Sequence, residues 1–129
     1  MDQPEGFVEP EQESKVYKLN KSLYGLKQAP KQWHEKFDFC MIENGCKSNK
    51  CDKCFYSKSW NNLHVIIRLY VDDTLIFGSN IHVINETKNM LKNNFDMKDL
   101  GEAIFILGMK ITKTCDIIFI DQSHYVEKI

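Results

Sequence analysis

The chain has 129 residues, 43% of them hydrophobic, so it can bury the core of one domain or of part of one. Its formal net charge of −1 gives no strong electrostatic footprint of nucleic-acid binding, and no apolar run reaches the roughly 18 residues of a transmembrane helix. The five Cys, an odd number, argue against a fully paired disulfide framework and favour an intracellular protein with reduced thiols.

The first fourteen residues are predicted to form an extended, acidic lead-in. Residues 1–14 carry five acids and no base, together with two Pro and one Gly, and they lack the basic and apolar regions of a signal peptide. Residues 15–58 carry ten Lys against four acids. This basic stretch is a candidate for phosphate contacts, and a solvated Lys-rich surface explains it equally well.

Hydrophobic periodicity predicts a strand and a helix in the first third of the chain. Residues 16–19 alternate in the manner of a short strand. Pro30 suits the first turn of a helix and Asn44-Gly45 is a typical stop, so we predict a helix over about 30–44. Three apolar residues recur at every fourth position of this helix, on one face that we expect to pack against a sheet: Trp33, Phe37 and Met41.

The remaining sequence alternates between hairpin and helix patterns. The predicted elements are, in chain order, a loop at 46–54, a strand beginning at Phe55, a turn at Asn61-Asn62, a strand over 63–71, a hairpin ending at 78–80, a helix over 81–94 capped by Ser79 or Asn80, strands at 103–111 and 117–120, and a helix that begins near Ser123 and runs to Ile129. This order indicates an α+β fold, with helices packed on one face of an antiparallel sheet.

Two adjacent carboxylates interrupt a long apolar stretch. Asp72 and Asp73 follow the apolar run 63–71 and precede a second one at 74–78. Neighbouring side chains of a strand point to opposite faces, so these carboxylates converge only if the chain turns sharply between the two runs. Carboxylate oxygens at a hairpin tip are suitable ligands for Mg²⁺, and an ordinary polar turn also explains them.

The surrounding motifs resemble the reverse transcriptase of copia-type retrotransposons. The segment Tyr70-Val71-Asp72-Asp73 between apolar strands is similar to the polymerase hairpin of that family. Further segments are similar in sequence and in order: 3–7, 23–30 followed by Trp33, 95–101, 106–111 and 122–129. The resemblance covers nearly the whole chain. It implies a partial reverse-transcriptase fold, a palm-like antiparallel sheet over 15–129 that runs into the start of the thumb.

The resemblance also implies a metal-dependent nucleotidyl transfer. Asp72 and Asp73 would be catalytic residues and ligands of a two-ion Mg²⁺ site. In the family another Asp lies on a strand that precedes the segment matched here by 3–7, so that strand and the fingers would be missing. The other implied contacts are Tyr24 and Gly25 with the nucleotide, and Tyr70, Val71, Leu107 and Gly108 with the primer or template. Core packing explains Val71 better, and a surface position explains Lys98 better than a contact with pyrophosphate.

The implied partners are an RNA or DNA template-primer and deoxynucleotides. A longer polyprotein in cytoplasmic virus-like particles would supply the missing palm and fingers, and the isolated chain is expected to be inactive. One alternative is a non-catalytic remnant that binds nucleic acid. Another alternative is a zinc-binding module. Its candidate ligands are the Cys51 and Cys54 pair with Cys46 nearby, and His34, Cys40 and His64 are further possible donors. A second close pair of donors, which a four-ligand structural site would need, is missing from the sequence.

Overall fold

The computed structural model describes residues 1–8 and 10–127 and has an α+β fold with antiparallel sheets. The chain divides into two compact units, Met1–Gly45 and Cys46–Ile129. The predicted end of the last helix at Ile129 lies outside the described residues.

The first unit contains one helix. Helix α1 spans Ala29–Glu43, which confirms the predicted helix, and Pro30 occupies its first turn. At its end the Asn44 side-chain amide donates a hydrogen bond to the Cys40 carbonyl at 2.8 Å, and Gly45 adopts a φ of +79°. A left-handed glycine satisfies the final carbonyls of a helix at little steric cost, so the stop predicted from the sequence has a local cause.

The predicted face of α1 is buried in part. Phe37 and Met41 are fully buried, and Cys40 is almost fully buried. Trp33 is half-buried, and the centre of its ring lies 5.8 Å from the centre of the Phe37 ring. Burial raises the pKa of the Cys40 thiol, and the neighbouring charge of Glu43 raises it further. The packing of this face against a sheet stays a prediction.

The predicted strand at 16–19 is wrong. These residues are exposed and lie outside any strand. The Tyr17 amide donates to the Met1 carbonyl at 2.9 Å and its hydroxyl to the Phe7 carbonyl at 3.2 Å. An alternating pattern of apolar and polar residues does not form a strand without a neighbouring strand to pair with. Here Tyr17 makes isolated hydrogen bonds to carbonyls of the lead-in, and no ladder forms in the described part of this segment. The lead-in is turned back locally, because the Gln3 side chain donates to the Gln12 and Lys15 carbonyls.

The second unit contains a four-stranded antiparallel sheet in the order β1-β2-β3-β4. Its strands are β1 (Lys47–Ser48), β2 (Phe55–Trp60), β3 (Leu63–Tyr70) and β4 (Asp73–Gly78). The predicted loop at 46–54 therefore includes a two-residue strand. Asn61 and Asn62 connect β2 to β3 with φ values of +46° and +63°, the conformation that favours Asn in two-residue hairpin loops, so the predicted turn is confirmed.

One face of this sheet carries the core of the second unit. Tyr56 of β2 and Val65, Ile67 and Leu69 of β3 are buried and alternate with more exposed residues. Helix α2 (Ile81–Asn94) contacts β3 and β4 and buries three residues of one face, which are Val83, Thr87 and Leu91. Its N-cap is Asn80, whose side chain accepts a hydrogen bond from the Val83 amide at 3.0 Å, as the sequence predicts.

Gly78 allows α2 to approach the sheet closely. It pairs with the buried Val65, and a Cβ atom placed on it would lie 2.7 Å from Cγ1 of Ile84 and 3.3 Å from the Asn80 carbonyl oxygen. Real Cβ atoms do not come within 3.0 Å of another heavy atom, so a side chain at this position would displace Ile84 or push the start of α2 away from the sheet.

Replacing Gly78 with Ala should lower the free energy of unfolding by about 1–3 kcal/mol, the typical cost of overpacking. Urea titration of the parent, Gly78→Ala, Ile84→Ala and the double variant measures this cost. The double variant should lose less free energy of unfolding than the two single variants lose together, because Ile84→Ala removes the Cγ1 atom with which the new Cβ clashes. Strict additivity would contradict the assigned contact.

A three-stranded antiparallel sheet and a short helix end the described chain. Its strands are β5 (Phe105–Ile106), β6 (Met109–Lys113) and β7 (Ile118–Asp121), followed by α3 (Ser123–Val126). The single strand predicted over 103–111 is wrong, because Leu107 and Gly108, with φ values of +50° and +75°, turn the chain between β5 and β6. The apolar residues of β7 are exposed.

Candidate functional site

The two carboxylates lie at the tip of a β-hairpin, as predicted. Tyr70, the last residue of β3, pairs directly with Asp73, the first residue of β4, so Val71 and Asp72 form a two-residue turn. Val71 has a φ of +45° and is 74% exposed. The expectation that Val71 packs in the core is therefore wrong, because the turn lifts its side chain away from the sheet. A β-branched residue in this conformation is strained, and the flanking strands must hold it there.

Asp72 and Asp73 are exposed and available to a ligand. Neither carboxylate takes part in a hydrogen bond or an ion pair within residues 1–8 and 10–127. Their oxygens are the donor type that Mg²⁺ prefers, so the donor chemistry fits. The number of donors falls short, since no group of three His, Cys, Asp or Glu side chains in the described residues could hold a metal ion.

The register of the hairpin separates its two faces. Cross-strand partners point to the same side, so Asp73 shares a face with Tyr70, while the Arg68 and Leu75 pair continues this face away from the tip. The opposite face carries the buried Leu69 and Ile67. The candidate site therefore combines one carboxylate in the turn with a second carboxylate, an aromatic ring and a cation on the less buried face of the sheet.

Arg68 is a functional candidate that belongs to none of the sequence motifs described above. Its guanidinium forms an ion pair with Asp52, and its Cζ atom lies 5.0 Å from the centre of the Tyr70 ring. This distance is within the range of a cation–π contact. The sequence does contain a signal for this residue: a single Arg within an apolar run indicates a cation that needs a partner to offset its desolvation. The partner itself lies 16 positions earlier in the chain and was not marked by any local pattern.

A cavity of about 900 Å³ connects the hairpin tip to other predicted site residues. It extends from Asp72 and Asp73 along β4 and α2 to the turn between β5 and β6, and Leu107 and Gly108 are among its lining residues. Strand β4 forms one wall and is the last strand of its sheet in the described chain. The structure thus places Leu107 and Gly108 on the same cavity as the two carboxylates.

A cluster of one carboxylate and two lysines also lines this cavity. The Asp99 carboxylate accepts a hydrogen bond from the Gly101 amide at 2.9 Å and pairs with Lys88 at 3.0 Å and with Lys92 at 3.7 Å. The Gly101 amide, followed by Lys88, holds the pKa of Asp99 below its usual value. Asp99 is therefore occupied by its own neighbours. Lys98 is exposed, as expected, although it also lines the cavity.

Tyr24 and Gly25 belong to the first unit. Tyr24 is 93% exposed, and Gly25 has a φ of +87°, a backbone conformation in which glycine is strongly favoured. These features agree with an exposed turn. Whether the two residues act with the hairpin tip stays a prediction.

The segment between Cys51 and Cys54 forms a local turn. Asp52 accepts a hydrogen bond from the Cys54 amide at 3.0 Å, which forms an Asx turn between the two cysteines. Cys51 is exposed, Cys54 is half-buried and Cys46 is buried.

The helices of the described residues include none with the length and apolar character of a membrane span.

Comparison with known proteins gives a family over the full length. The family described as reverse transcriptase (RNA-dependent DNA polymerase) matches residues 1–129. The retrovirus-related Pol polyprotein from transposon TNT 1-94 of Nicotiana tabacum is 46% identical over 132 residues, which cover 100% of this chain and 10% of that protein. No solved structure matches the chain significantly.

Two further relatives support the same assignment. The retrovirus-related Pol polyprotein from transposon RE1 of Arabidopsis thaliana is 30% identical over 98% of this chain and 9% of its own length. The putative transposon Ty5-1 protein of Saccharomyces cerevisiae is 32% identical over 84% of this chain and 35% of its own length. The chain therefore spans only a small part of the curated relatives that it matches.

Proposed function

Because the chain belongs to the reverse transcriptase (RNA-dependent DNA polymerase) family, we propose that it supplies the metal-binding hairpin of a copia-type polymerase palm. The observation that carries this proposal is the two-residue turn that presents Asp72 and Asp73, both exposed, at the end of paired apolar strands. The reaction would be RNA-directed DNA synthesis, in which a primer hydroxyl attacks the α-phosphate of a deoxynucleotide.

Asp72 and Asp73 would hold the divalent cations of this reaction. Bound Mg²⁺ would activate the primer hydroxyl and stabilise the charge of the leaving pyrophosphate. The protein groups contribute by position: the turn presents Asp72, β4 begins with Asp73, and the Tyr70 ring lies on the face that Asp73 shares. A primer or template strand would contact Tyr70 and Val71, for which the exposed Val71 side chain is accessible.

The other proposed contacts follow the cavity. Leu107 and Gly108 line it together with the two carboxylates, which supports a contact between the β5–β6 turn and the primer end. Tyr24 and Gly25 would contact the incoming nucleotide, where a glycine permits close approach of the backbone. The cellular setting we propose is cytoplasmic, in virus-like particles, with the template-primer and deoxynucleotides as partners.

Two carboxylates of one hairpin do not complete a two-ion site, so a further ligand must come from another strand. We propose that the rest of a longer polyprotein supplies this strand and the fingers. The absence of a three-ligand group among the described residues also favours a second candidate for the isolated chain, a non-catalytic module that binds nucleic acid. Template-primer binding without primer extension would be its signature.

We expect the isolated chain to show no primer extension on an RNA template with Mg²⁺. A chimera in which this chain replaces the matched segment of the tobacco TNT 1-94 polyprotein should extend the primer, because that protein supplies the remaining elements. Extension is followed by gel electrophoresis of a labelled primer. Extension by the isolated chain would contradict the incomplete site, and an inactive but folded chimera would contradict the polymerase proposal.

A further inference from the structure

Arg68 is the cation nearest to the candidate metal site along the hairpin, and the structure gives it two contacts. Its guanidinium pairs with Asp52 and lies over the Tyr70 ring at 5.0 Å. The side chain is 28% exposed, and its Nε atom has no hydrogen-bond partner within residues 1–8 and 10–127. The position of the guanidinium therefore depends on the Asp52 ion pair and on the aromatic ring.

Asp52 is held in place independently of Arg68. One of its carboxylate oxygens accepts the Cys54 amide at 3.0 Å, and its backbone carbonyl accepts the Phe55 amide at 3.0 Å. The Cys54 carbonyl in turn accepts the Leu69 amide at 2.9 Å, which fastens this loop to β3 beside Arg68. The second carboxylate oxygen is left to pair with the guanidinium. Asp52 is thus a fixed counter-charge.

Without that counter-charge, Asp73 is the next acceptor on the same face. Arg68 pairs with Leu75 and Tyr70 pairs with Asp73, so Arg68 and Asp73 are diagonal neighbours across β3 and β4. Diagonal neighbours of an antiparallel pair are about 7–8 Å apart at the backbone, which a long side chain can span. An arginine that binds a carboxylate occupies the oxygens that a metal ion would use.

We propose that Asp52 is a positioning residue that keeps the Arg68 guanidinium over Tyr70 and away from Asp73, so that Asp73 stays free for a cation. Asp52 acts through Arg68 and does not touch the metal site itself. The inference rests on the proposed cation site at Asp72 and Asp73 for its consequence, and on the ion pair alone for its geometry.

The geometry is tested on the metal-free chain by NMR. The parent protein should show nuclear Overhauser contacts between Arg68 side-chain protons and the Tyr70 ring. In Asp52→Asn, whose amide oxygen still accepts the Cys54 amide, these contacts should weaken and contacts from Arg68 to the Asp73 Hβ protons should appear. Asp116→Asn, which removes one charge from the exposed bend between β6 and β7, should leave them unchanged. Arg68 contacts to Tyr70 that persist in Asp52→Asn would overturn the proposal.

The consequence is tested with Mn²⁺ as the probe, by the electron paramagnetic resonance signal of the free ion. Asp52→Asn should raise the Mn²⁺ dissociation constant by about two- to fivefold, in line with the strength of an exposed ion pair. The double variant Asp52→Asn with Arg68→Met removes both charges and should return within twofold of the parent. Tighter binding by the double variant than by the parent would show that Arg68 already competes for Asp73, which overturns the proposal.

The two measurements separate the inference from the proposed function. A parent chain that binds no Mn²⁺ would refute the cation site at Asp72 and Asp73, while the NMR contacts would still decide where Arg68 lies. If Asp52→Asn does not fold, which its amide spectrum reveals, Asp52→Ser takes its place, because a serine hydroxyl can still accept the Cys54 amide while the counter-charge of Arg68 is lost.

Discussion

Replacing Phe37 with Ala should lower the free energy of unfolding by about 3–5 kcal/mol, the usual cost of removing a fully buried aromatic ring. Phe37 is fully buried in the middle of α1 and contacts the Trp33 ring. The substitution removes the buried apolar surface of the ring and leaves a cavity, which the surrounding residues fill only in part because the interior is closely packed. Because small domains have only about 5–15 kcal/mol of stability, the variant should be unfolded to a large extent at moderate urea concentrations.

Phe39→Ala is the matched control for this experiment. It removes the same side chain from the same helix, two residues further on, where the ring is 68% exposed. Its effect should be within about 0.5 kcal/mol, as for most surface substitutions. Urea titrations of both variants, followed by far-ultraviolet circular dichroism, give the comparison. Equal effects of the two substitutions would show that the buried face of α1 is assigned wrongly.

Asp72→Asn should abolish most primer extension by the chimera with the tobacco polyprotein. The substitution removes a negative charge but keeps the size of the side chain, so the hairpin turn should persist. A metal-binding carboxylate contributes several kcal/mol of transition-state stabilisation, which corresponds to a loss of about a hundred- to a thousandfold in rate. Single-turnover primer extension measures this loss directly.

The double variant Asp72→Asn with Asp73→Asn distinguishes a joint site from two separate contributions. If the carboxylates act as a unit, it should lose little more activity than Asp72→Asn alone, because such contributions are not additive. Asp116→Asn again serves as the charge-matched control and should retain full activity. A fully active Asp72→Asn chimera would exclude this residue as a metal ligand.

The elements with strong local signals could be predicted from the sequence. Pro30 and Asn44-Gly45 bound α1, Asn80 caps α2, and Asn61-Asn62 form the turn between β2 and β3. In each case a nearby side chain or a backbone conformation stabilises the boundary, so a window of a few residues contains the cause. The carboxylate hairpin was predictable for the same reason, since two apolar runs on either side of two polar residues specify a turn.

The features that depend on distant partners could not be predicted. The alternation at 16–19 has no neighbouring strand, and no local pattern reports that absence. Val71 was expected in the core because it continues an apolar run, but the turn begins at this residue. The ion pair between Asp52 and Arg68 joins positions 16 apart and needs the β2–β3 register to bring them together. Each failure depends on which strands pair and in which register, and a window of a few residues does not contain that information.

The left-handed backbone of Val71 determines the order in which the hairpin can form. A β-branched residue resists this conformation in an unfolded chain, so the turn cannot nucleate the pairing of β3 with β4. Apolar contacts between the strands must form first and then impose the turn on Val71. Asp72 and Asp73 consequently take up their places at the hairpin tip only once β3 and β4 have paired. Any affinity of this pair for a cation is thus coupled to folding, and a bound ion would stabilise the whole sheet rather than the tip alone.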